Sequence, residues 1–540
     1  EQLTALSSFT YISNMKYDAI IIGAGHNGLV CAAYLAKSGK KVCVVERRSV
    51  LGGSAVTEEI FPGCKVSRAA YVNSLFRPEI IQDLKLKQYG LEFLSRRPAS
   101  FSPFPNHQYL ILGNGLDEDQ REIAKFSAKD ADRYPKYEAM LNSIVKYVEP
   151  LWKKPPPSPT SKKLSDLWEL ASLGMKTRRS GNELIQKMVE MFTLSAGDLL
   201  DRWFESDELK ATLATDGVIG AMAGPYTPGT AYVLLHHVFG ETNGMRGVWA
   251  YVRGGMGALS DSIASACRDL GVEILLDYSV DKISIHKRAS GVTLSDGREL
   301  SAKCVISSID PHVTFLRLLD DSVLPSDFRK NIDQMDFKSA TAKMNLHLSE
   351  LPDFTALPGK NAEIQHHGTI HLSPTMDFVE QAYDDAKYGR PSSHPMIEAT
   401  IPSTVDDTLA PKGEHVMGIF CQYAPYNLKE GNWDSEKTIF ANRIIDDFTE
   451  YAPNFRNSII DYELLTPPDI EKIFGLTGGN IFHGAMTPHQ LFFMRPALGW
   501  ADHRTPIKGL YLCGSGSHPG GGVTGAPGRN AAEMVLRDIR

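Results

Sequence analysis

Tyr17-Asp18-Ala19-Ile20-Ile21-Ile22-Gly23-Ala24-Gly25-His26-Asn27-Gly28 is a nearly continuous apolar run that opens into a Gly-x-Gly-x-x-Gly turn. Such a run predicts a buried strand, and the turn brings backbone within touching distance of a diphosphate. Gly23 lets the chain leave the strand sharply, and Gly25 presents no Cβ to the ligand. Gly28 lets the next helix, expected from about Asn27 to Ser38, pack close to the strand. His26 and Asn27 sit at the positive end of that helix, where N–H groups favour an anion. A second apolar strand, Lys41 to Val45, ends in Glu46, eighteen residues beyond Gly28. A carboxylate there accepts hydrogen bonds from ribose hydroxyls and repels a 2′-phosphate. The ligand is an adenine dinucleotide without a 2′-phosphate, and NAD and FAD are both open at this point. Arg47 follows the acid, and Gly52-Gly53 brings backbone close to a longer ligand, as a flavin diphosphate requires.

Two distant segments point the same way. Near the C-terminus, Gly509 to Cys513 reads as a short strand and a helix is expected from about Gly525. The loop between holds six glycines from Gly514 to Gly525 and offers backbone N–H groups to a flavin ring edge, where charge accumulates on reduction. Gly514, Ser515, Gly522, Val523 and Thr524 are therefore expected at the cofactor. In the middle, Arg253-Gly254-Gly255-Met256-Gly257 precedes a helix. Strands follow at Val272 to Leu276, Val280 to Ile285, Gly291 to Leu294 and Glu299 to Ile306, with a turn at Asp296-Gly297.

These segments resemble, in the right order, the amine-oxidase and phytoene-desaturase group of flavoproteins, the latter also called carotenoid and retinoid oxidoreductases. The resemblance implies an α/β fold: a doubly wound, three-layer, Rossmann-like FAD-binding domain joined to a second, α+β substrate domain. It implies FAD, a place for the Val280 backbone beside the adenine, and a Gly254–Gly257 turn facing the substrate. Ser515 stands where many flavoproteins carry an acid, in keeping with the desaturase-like branch. The FAD-binding domain is expected over 15–75, 245–315 and 475–540, and the substrate domain over 76–244 and 316–474. Residues 1–14 form an extension. Stretches such as ATLATDGVIGAMAGPYTPG and LTPPDIEKIFGLTGGNIFHGAM resemble a mitochondrial branch of the family, which implies the matrix or the inner-membrane face. The first fourteen residues start without Met, contain Glu1 and lack Arg, a poor targeting segment, so the chain is expected to begin inside a longer precursor.

Composition excludes several classes. At 540 residues the chain exceeds one ordinary domain, and with 22% charged residues and a net charge of −7 it lacks a nucleic-acid footprint. The seven cysteines are scattered, which suggests a reducing compartment. No two are close in sequence and no second dinucleotide motif follows a strand, so dithiol chemistry with a nicotinamide donor is not expected. No apolar run approaches the roughly 18 residues that span a bilayer.

Residues 76–247 read as mostly helical, interrupted by Lys153-Lys154-Pro155-Pro156-Pro157-Ser158-Pro159. Trp152, Leu164, Leu167 and Trp168 mix there with Lys153, Lys154, Lys162, Lys163, Lys176, Arg178 and Arg179. Such a pair of helices suits either an anionic membrane surface or an ordinary solvated face. From about Ala340 to Tyr426 the alternation reads as a mixed sheet. The segment LATDGVIGAMAGPYTPGTAYVLLHHVFG suits either a channel for a lipophilic substrate or a buried helix pair.

His518, in the glycine loop, is the expected catalytic base, with His236, His237 and His483 as alternatives; any one histidine is more commonly a hydrogen-bonded structural residue. Arg68 suits the flavin diphosphate or a salt bridge. No metal is expected: His366, His367, His371 and Glu363 lack a recognised ligand spacing. The reading is an FAD-dependent oxidoreductase of dehydrogenase or desaturase type acting on an apolar small molecule, with electrons leaving to oxygen or a quinone. Peripheral contact with a membrane or a membrane-bound complex is expected. One alternative is an amine-oxidase-type flavoenzyme, in which group a flavin–Cys link occurs, although Cys513 precedes the loop. Another is a non-catalytic, FAD-stabilised regulatory or partner-binding protein. Prenyl-protein chaperones share the architecture without its nucleotide pattern, which this chain retains in Glu46 and its three glycines.

Overall fold

A computed structural model describes residues 16–242 and 245–539; the extension expected over 1–14 lies outside them. The opening motif folds as β1 (Tyr17–Ile22), α1 (His26–Lys37) and β2 (Val42–Val45), with the strands paired in parallel. All of β2, and all of β1 except Asp18, is buried, as an apolar run without alternation requires. No acid occupies the first turn of α1 and Lys37 occupies its last, an arrangement that leaves the positive end free for an anion.

Further along lie α2 (Met256–Asp269), β3 (Glu273–Leu275), β4 (Val280–Ile285), β5 (Ala289–Leu294), β6 (Glu299–Ser307), β7 (Leu510–Leu512) and α3 (Ala526–Asp538). The parallel order is β3-β2-β1-β6-β7. The first part of β6 also pairs antiparallel with β5, which pairs with β4. On one face, Leu29 of α1, Ile263 of α2 and Val535 of α3 share a core. On the other, Ile20 and Val45 pack with Ile283 and Phe315. Burying each such side chain contributes about 1.5–3 kcal/mol. Because the strands are parallel, the residues leaving β1, β2, β6 and β7 (Gly23, Glu46, Ser308 and Cys513) emerge at one edge, where α/β sheets bind ligands.

A second sheet runs Ile459–Leu465, Thr341–Leu348, His415–Gln422, Met396–Thr400, Thr369–Leu372, Ser100–Pro103, Tyr109–Leu112. Its pairs are antiparallel except that between Thr369–Leu372 and Ser100–Pro103. The pleat sorts its side chains. Ala342, Met344, Leu346 and Leu348 join a core with Phe440 and Ile444 of helix Trp433–Tyr451, while Thr341 and Lys343 line a chamber. Helices Ala128–Trp152, Asp207–Val218 and Thr230–Val238 form the opposite wall around Leu141, Leu209 and Leu235. The segment read as mostly helical therefore also supplies strands Phe93–Ser95, Ser100–Pro103 and Tyr109–Leu112. They are short, and Pro103 and Pro105 interrupt the alternation that would reveal them. Strands of the first sheet lie within 15–75, 245–315 and 475–540, and those of the second within 76–244 and 316–474. Among the described residues no helix is long and apolar enough to cross a membrane.

Candidate active site

The strand-end edge opens into a slot of about 450 Å³, lined by Gly23, Gly25, His26, Asn27, Glu46, Arg47, Gly52, Gly53, Val280 and Ser515. A Cβ on Gly25 would meet nothing within 4 Å, so it would project into the slot. Gly28 does the reverse: a Cβ there would lie 2.3 Å from the Gly23 carbonyl, and the residue serves the packing of α1 rather than the slot surface. Gly52, at φ +107, donates its N–H to the Ala24 carbonyl at 3.0 Å, locking the second glycine pair beside the first turn.

Glu46 is 6% exposed. Its Oε2 accepts from the Ala24 N–H at 2.8 Å and its Oε1 from the Arg48 N–H at 3.0 Å. Arg47 donates to the carbonyls of Lys472 and Ile473 at 3.1 and 2.6 Å, tying the last turn of helix Pro467–Phe474 over the slot. Asn27 Nδ2 donates to Ser515 Oγ at 3.1 Å, so both ends of the chain close on one place. Asn27 Oδ1 and His26 Nε2 are buried there without a protein partner.

His26, Ser54, Leu476, His483 and Ser515 line both the slot and a chamber of about 840 Å³, so the two cavities adjoin. Gly522 and Val523 line the chamber. Gly514 and Thr524 line neither cavity. A Cβ on Gly514 would press on the Ser308 carbonyl, and Thr524 Oγ1 accepts from the N–H of Ala526, the first residue of α3, at 3.1 Å.

His518 is a correction. It lies outside both cavities with its Nε2 2.8 Å from the Leu151 carbonyl, and burial pushes its imidazole down to about 3. A neutral, buried ring held by a carbonyl is a structural device. His236, His237 and His483 do line the chamber. Both ring nitrogens of His236 lack a protein partner, and burial lowers it to about 3. Arg68 is likewise outside both cavities, ion-paired with Glu58 at 3.3 Å and Glu463 at 2.6 Å. The Gly254–Gly257 turn does not face the substrate side: Gly254 donates to Asp406 at 2.7 Å and Met256 to Ser67 at 2.9 Å. The LATDGVIG segment folds into a buried helix pair, and from it Thr215, Asp216 and Ile219 line the chamber.

The chamber also carries groups that sequence reasoning missed. Tyr71 OH donates to Glu398 Oε2 at 3.1 Å, and His371 Nδ1 lies 3.3 Å from Glu398 Oε1. Burial alone would raise the Glu398 carboxyl, but His371 and Tyr71 hold it below the ordinary range. Burial raises Asp216, and it lowers Lys343 to about 7. Arg96, 4% exposed, lines the same space with its Nε and Nη1 unpartnered. The alternation from about Ala340 to Tyr426 revealed a mixed sheet, but not that Glu398, His371 and Lys343 converge from three of its strands.

None of the seven cysteines lines either cavity. The fold does bring Cys31 and Cys513 into thiol–thiol contact, but inside the core behind α1.

Residues 28–411 match the model for the flavin containing amine oxidoreductase family, and the chain belongs to that family. It is 47% identical to the pyridine nucleotide-disulfide oxidoreductase domain-containing protein 2 of Rattus norvegicus, covering 97% of this chain and 94% of that one. It is 28% identical to a limonene dehydrogenase chain of Castellaniella defragrans, over 97% and 95%. A solved oxidoreductase from Methanosarcina mazei has the same fold, with a TM-score of 0.60 at 18% identity, covering 96% of this chain and 99% of that one. The protein is an FAD-dependent oxidoreductase. The open Gly25 face, the Glu46 carboxylate and the orphaned polar atoms of His26 and Asn27 fit that cofactor, which would lie from Glu46 toward Gly522.

Proposed function

We propose that the protein dehydrogenates a small, largely apolar molecule with one polar end, held in the chamber. Bound flavin supplies the hydride acceptor there. The observation that carries this reading is the continuity of the dinucleotide slot with a chamber lined by Leu75, Ile219 and Phe482 and, on the sheet wall, by Phe420, Glu398 and His371, with Tyr71 packed against Phe420. His371, backed by Glu398, is the group we assign to the departing proton, and Arg96 the donor we assign to the polar end of the substrate. The relative named as a limonene dehydrogenase supports an apolar substrate class. Electrons would leave to oxygen or a quinone, a reading supported by a chain whose cysteines all lie away from both cavities.

A second reading, amine oxidation, is favoured by the Asp216 and Glu398 carboxyl groups, which suit an ammonium. Anaerobic mixing of the FAD-loaded protein with cyclic terpenes, polyenes, lipids and simple amines separates the two. Bleaching of the flavin band by unsaturated apolar compounds alone is expected. Bleaching by amines alone would replace this reading with the second, and bleaching by none would favour a non-catalytic role.

We also assign the protein to a membrane surface, at the mitochondrial inner-membrane face. The location rests on family resemblance. Surface contact is supported by helix Leu164–Arg179, none of whose residues is buried. Leu164 and Trp168 are 83% and 70% exposed near Lys163 in the first turns, and Lys176, Arg178 and Arg179 occupy the last turn of the same helix.

A further inference from the structure

The four residues weighed as metal ligands from sequence do not gather around one point: His366 is spent on the Pro352 carbonyl at 2.8 Å and on capping its own short helix. A different set does converge. Cys64, His347 and Glu414 each present one ligand atom, and the three atoms lie within 4.8 Å of one another. His347 Nε2 is 2.7 Å from Glu414 Oε2. We propose that these three side chains form a divalent-cation site of the zinc class, with thiolate, imidazole and carboxylate donors.

The donors come from rigid elements. Cys64 opens the strand Cys64–Ser67 of a hairpin whose other strand is Thr57–Phe61. His347 stands on Thr341–Leu348 and Glu414 directly precedes His415–Gln422, neighbouring strands of the second sheet. Phe61 stacks on the His347 ring with centroids 6.0 Å apart, fixing its plane. The Lys65 N–H donates to the Leu409 carbonyl at 2.8 Å, holding the hairpin against the loop that leads to Glu414. Sulfur, nitrogen and oxygen donors together suit zinc rather than magnesium or calcium.

The thiol and imidazole are buried while the Glu414 side chain is 38% exposed, so the ion has a path inward and water can complete a tetrahedron. The 2.7 Å separation of His347 and Glu414 is that of a hydrogen bond, and it must open by roughly half an ångström or more for both to ligate one ion. Binding would release the Cys64 proton to solvent, leaving a thiolate–metal bond with no change of oxidation state. None of the three residues lines the slot or the chamber. The cation is therefore a staple between the hairpin that follows Gly52-Gly53 and the sheet that walls the chamber, and takes no part in the redox step.

The test is zinc binding by the full, FAD-loaded protein. After incubation with Zn²⁺ and desalting, elemental analysis is expected to give one zinc per chain, and calorimetry a single site. Cys64→Ser and His347→Gln should lose it. Glu414→Gln changes a partly exposed residue at the rim, keeps the fold, and should weaken zinc at least about tenfold, since even outer-sphere changes cost about 10–100-fold. With Zn²⁺ the unfolding midpoint should rise in the unmodified protein and not in Cys64→Ser. Zinc retained at full stoichiometry in both Glu414→Gln and Cys64→Ser, or no zinc bound by the unmodified protein, would overturn the assignment.

Discussion

Asn27 Nδ2 and Ser515 Oγ, 488 positions apart, are joined by a 3.1 Å hydrogen bond at the meeting point of slot and chamber. The N-terminal phosphate turn and the C-terminal glycine loop thus form one surface, and a buried guanidinium braces it. Arg495 donates to the Ser515 carbonyl through Nε at 3.0 Å and through Nη2 at 2.9 Å, and to the Phe482 carbonyl at 2.7 Å. Replacing Arg495 by Met would strand these carbonyls at about 1–3 kcal/mol each. A lowered unfolding midpoint and loss of bound flavin are expected; unchanged flavin retention would show that the loop holds its shape without the brace.

Glu46 holds the Ala24 and Arg48 N–H groups and faces the slot. Glu46→Gln should weaken FAD about tenfold or more, since a lost charge-assisted hydrogen bond costs about 1.5–3 kcal/mol. Titrating FAD into flavin-free protein by fluorescence measures it. Equal affinity would remove Glu46 from the ribose role.

Acid should destabilise the fold through its buried imidazoles. His26, His236 and His518 are pushed by burial to about 3, and His503 to about 4. Between those values and the ordinary histidine range near 6.5, the unfolded chain binds protons that the folded chain does not. Stability therefore falls as pH drops from about 6.5 to about 4, by up to about 1.4 kcal/mol per pH unit for each group. His518→Gln keeps a donor for the Leu151 carbonyl and His503→Asn one for Leu512. Each should make the pH dependence of the unfolding midpoint shallower, and His518→Gln should leave flavin reduction unchanged. A large loss of flavin reduction in His518→Gln would restore it as a catalytic group.

The exposed Leu164 and Trp168 should report membrane contact. Vesicles with anionic lipid should bind the protein and blue-shift its tryptophan emission, while neutral vesicles should not. Trp168→Glu should abolish binding without altering flavin content. Equal binding to both vesicle types would show that the basic residues play no part in the contact.

The parallel sheet was legible because its central strands are largely apolar and its turns need glycine for stated reasons: Gly25 for an open face, Gly28 for close packing. The slot was legible for the same reason, since backbone approach leaves a mark in sequence. The chamber was not. Glu398, His371 and Lys343 meet only through strand order and pleat, and Tyr71 reaches them from the loop after Cys64–Ser67, which no local pattern encodes. His518 misled because a glycine-rich loop says where backbone comes close, and says nothing about which side chain turns inward to the Leu151 carbonyl. Cys64, His347 and Glu414 lie far apart along the chain and carry no ligand spacing at all.

FAD content in paired glycine variants tests the slot most directly. A side chain at Gly25 enters open space, whereas one at Gly28 strikes the Gly23 carbonyl at 2.3 Å. Gly25→Val is expected to fold with the secondary structure and unfolding behaviour of the flavin-free protein while holding no FAD. Gly28→Val should lose the fold itself. Folded Gly25→Val carrying a full complement of FAD would contradict a diphosphate held against this turn.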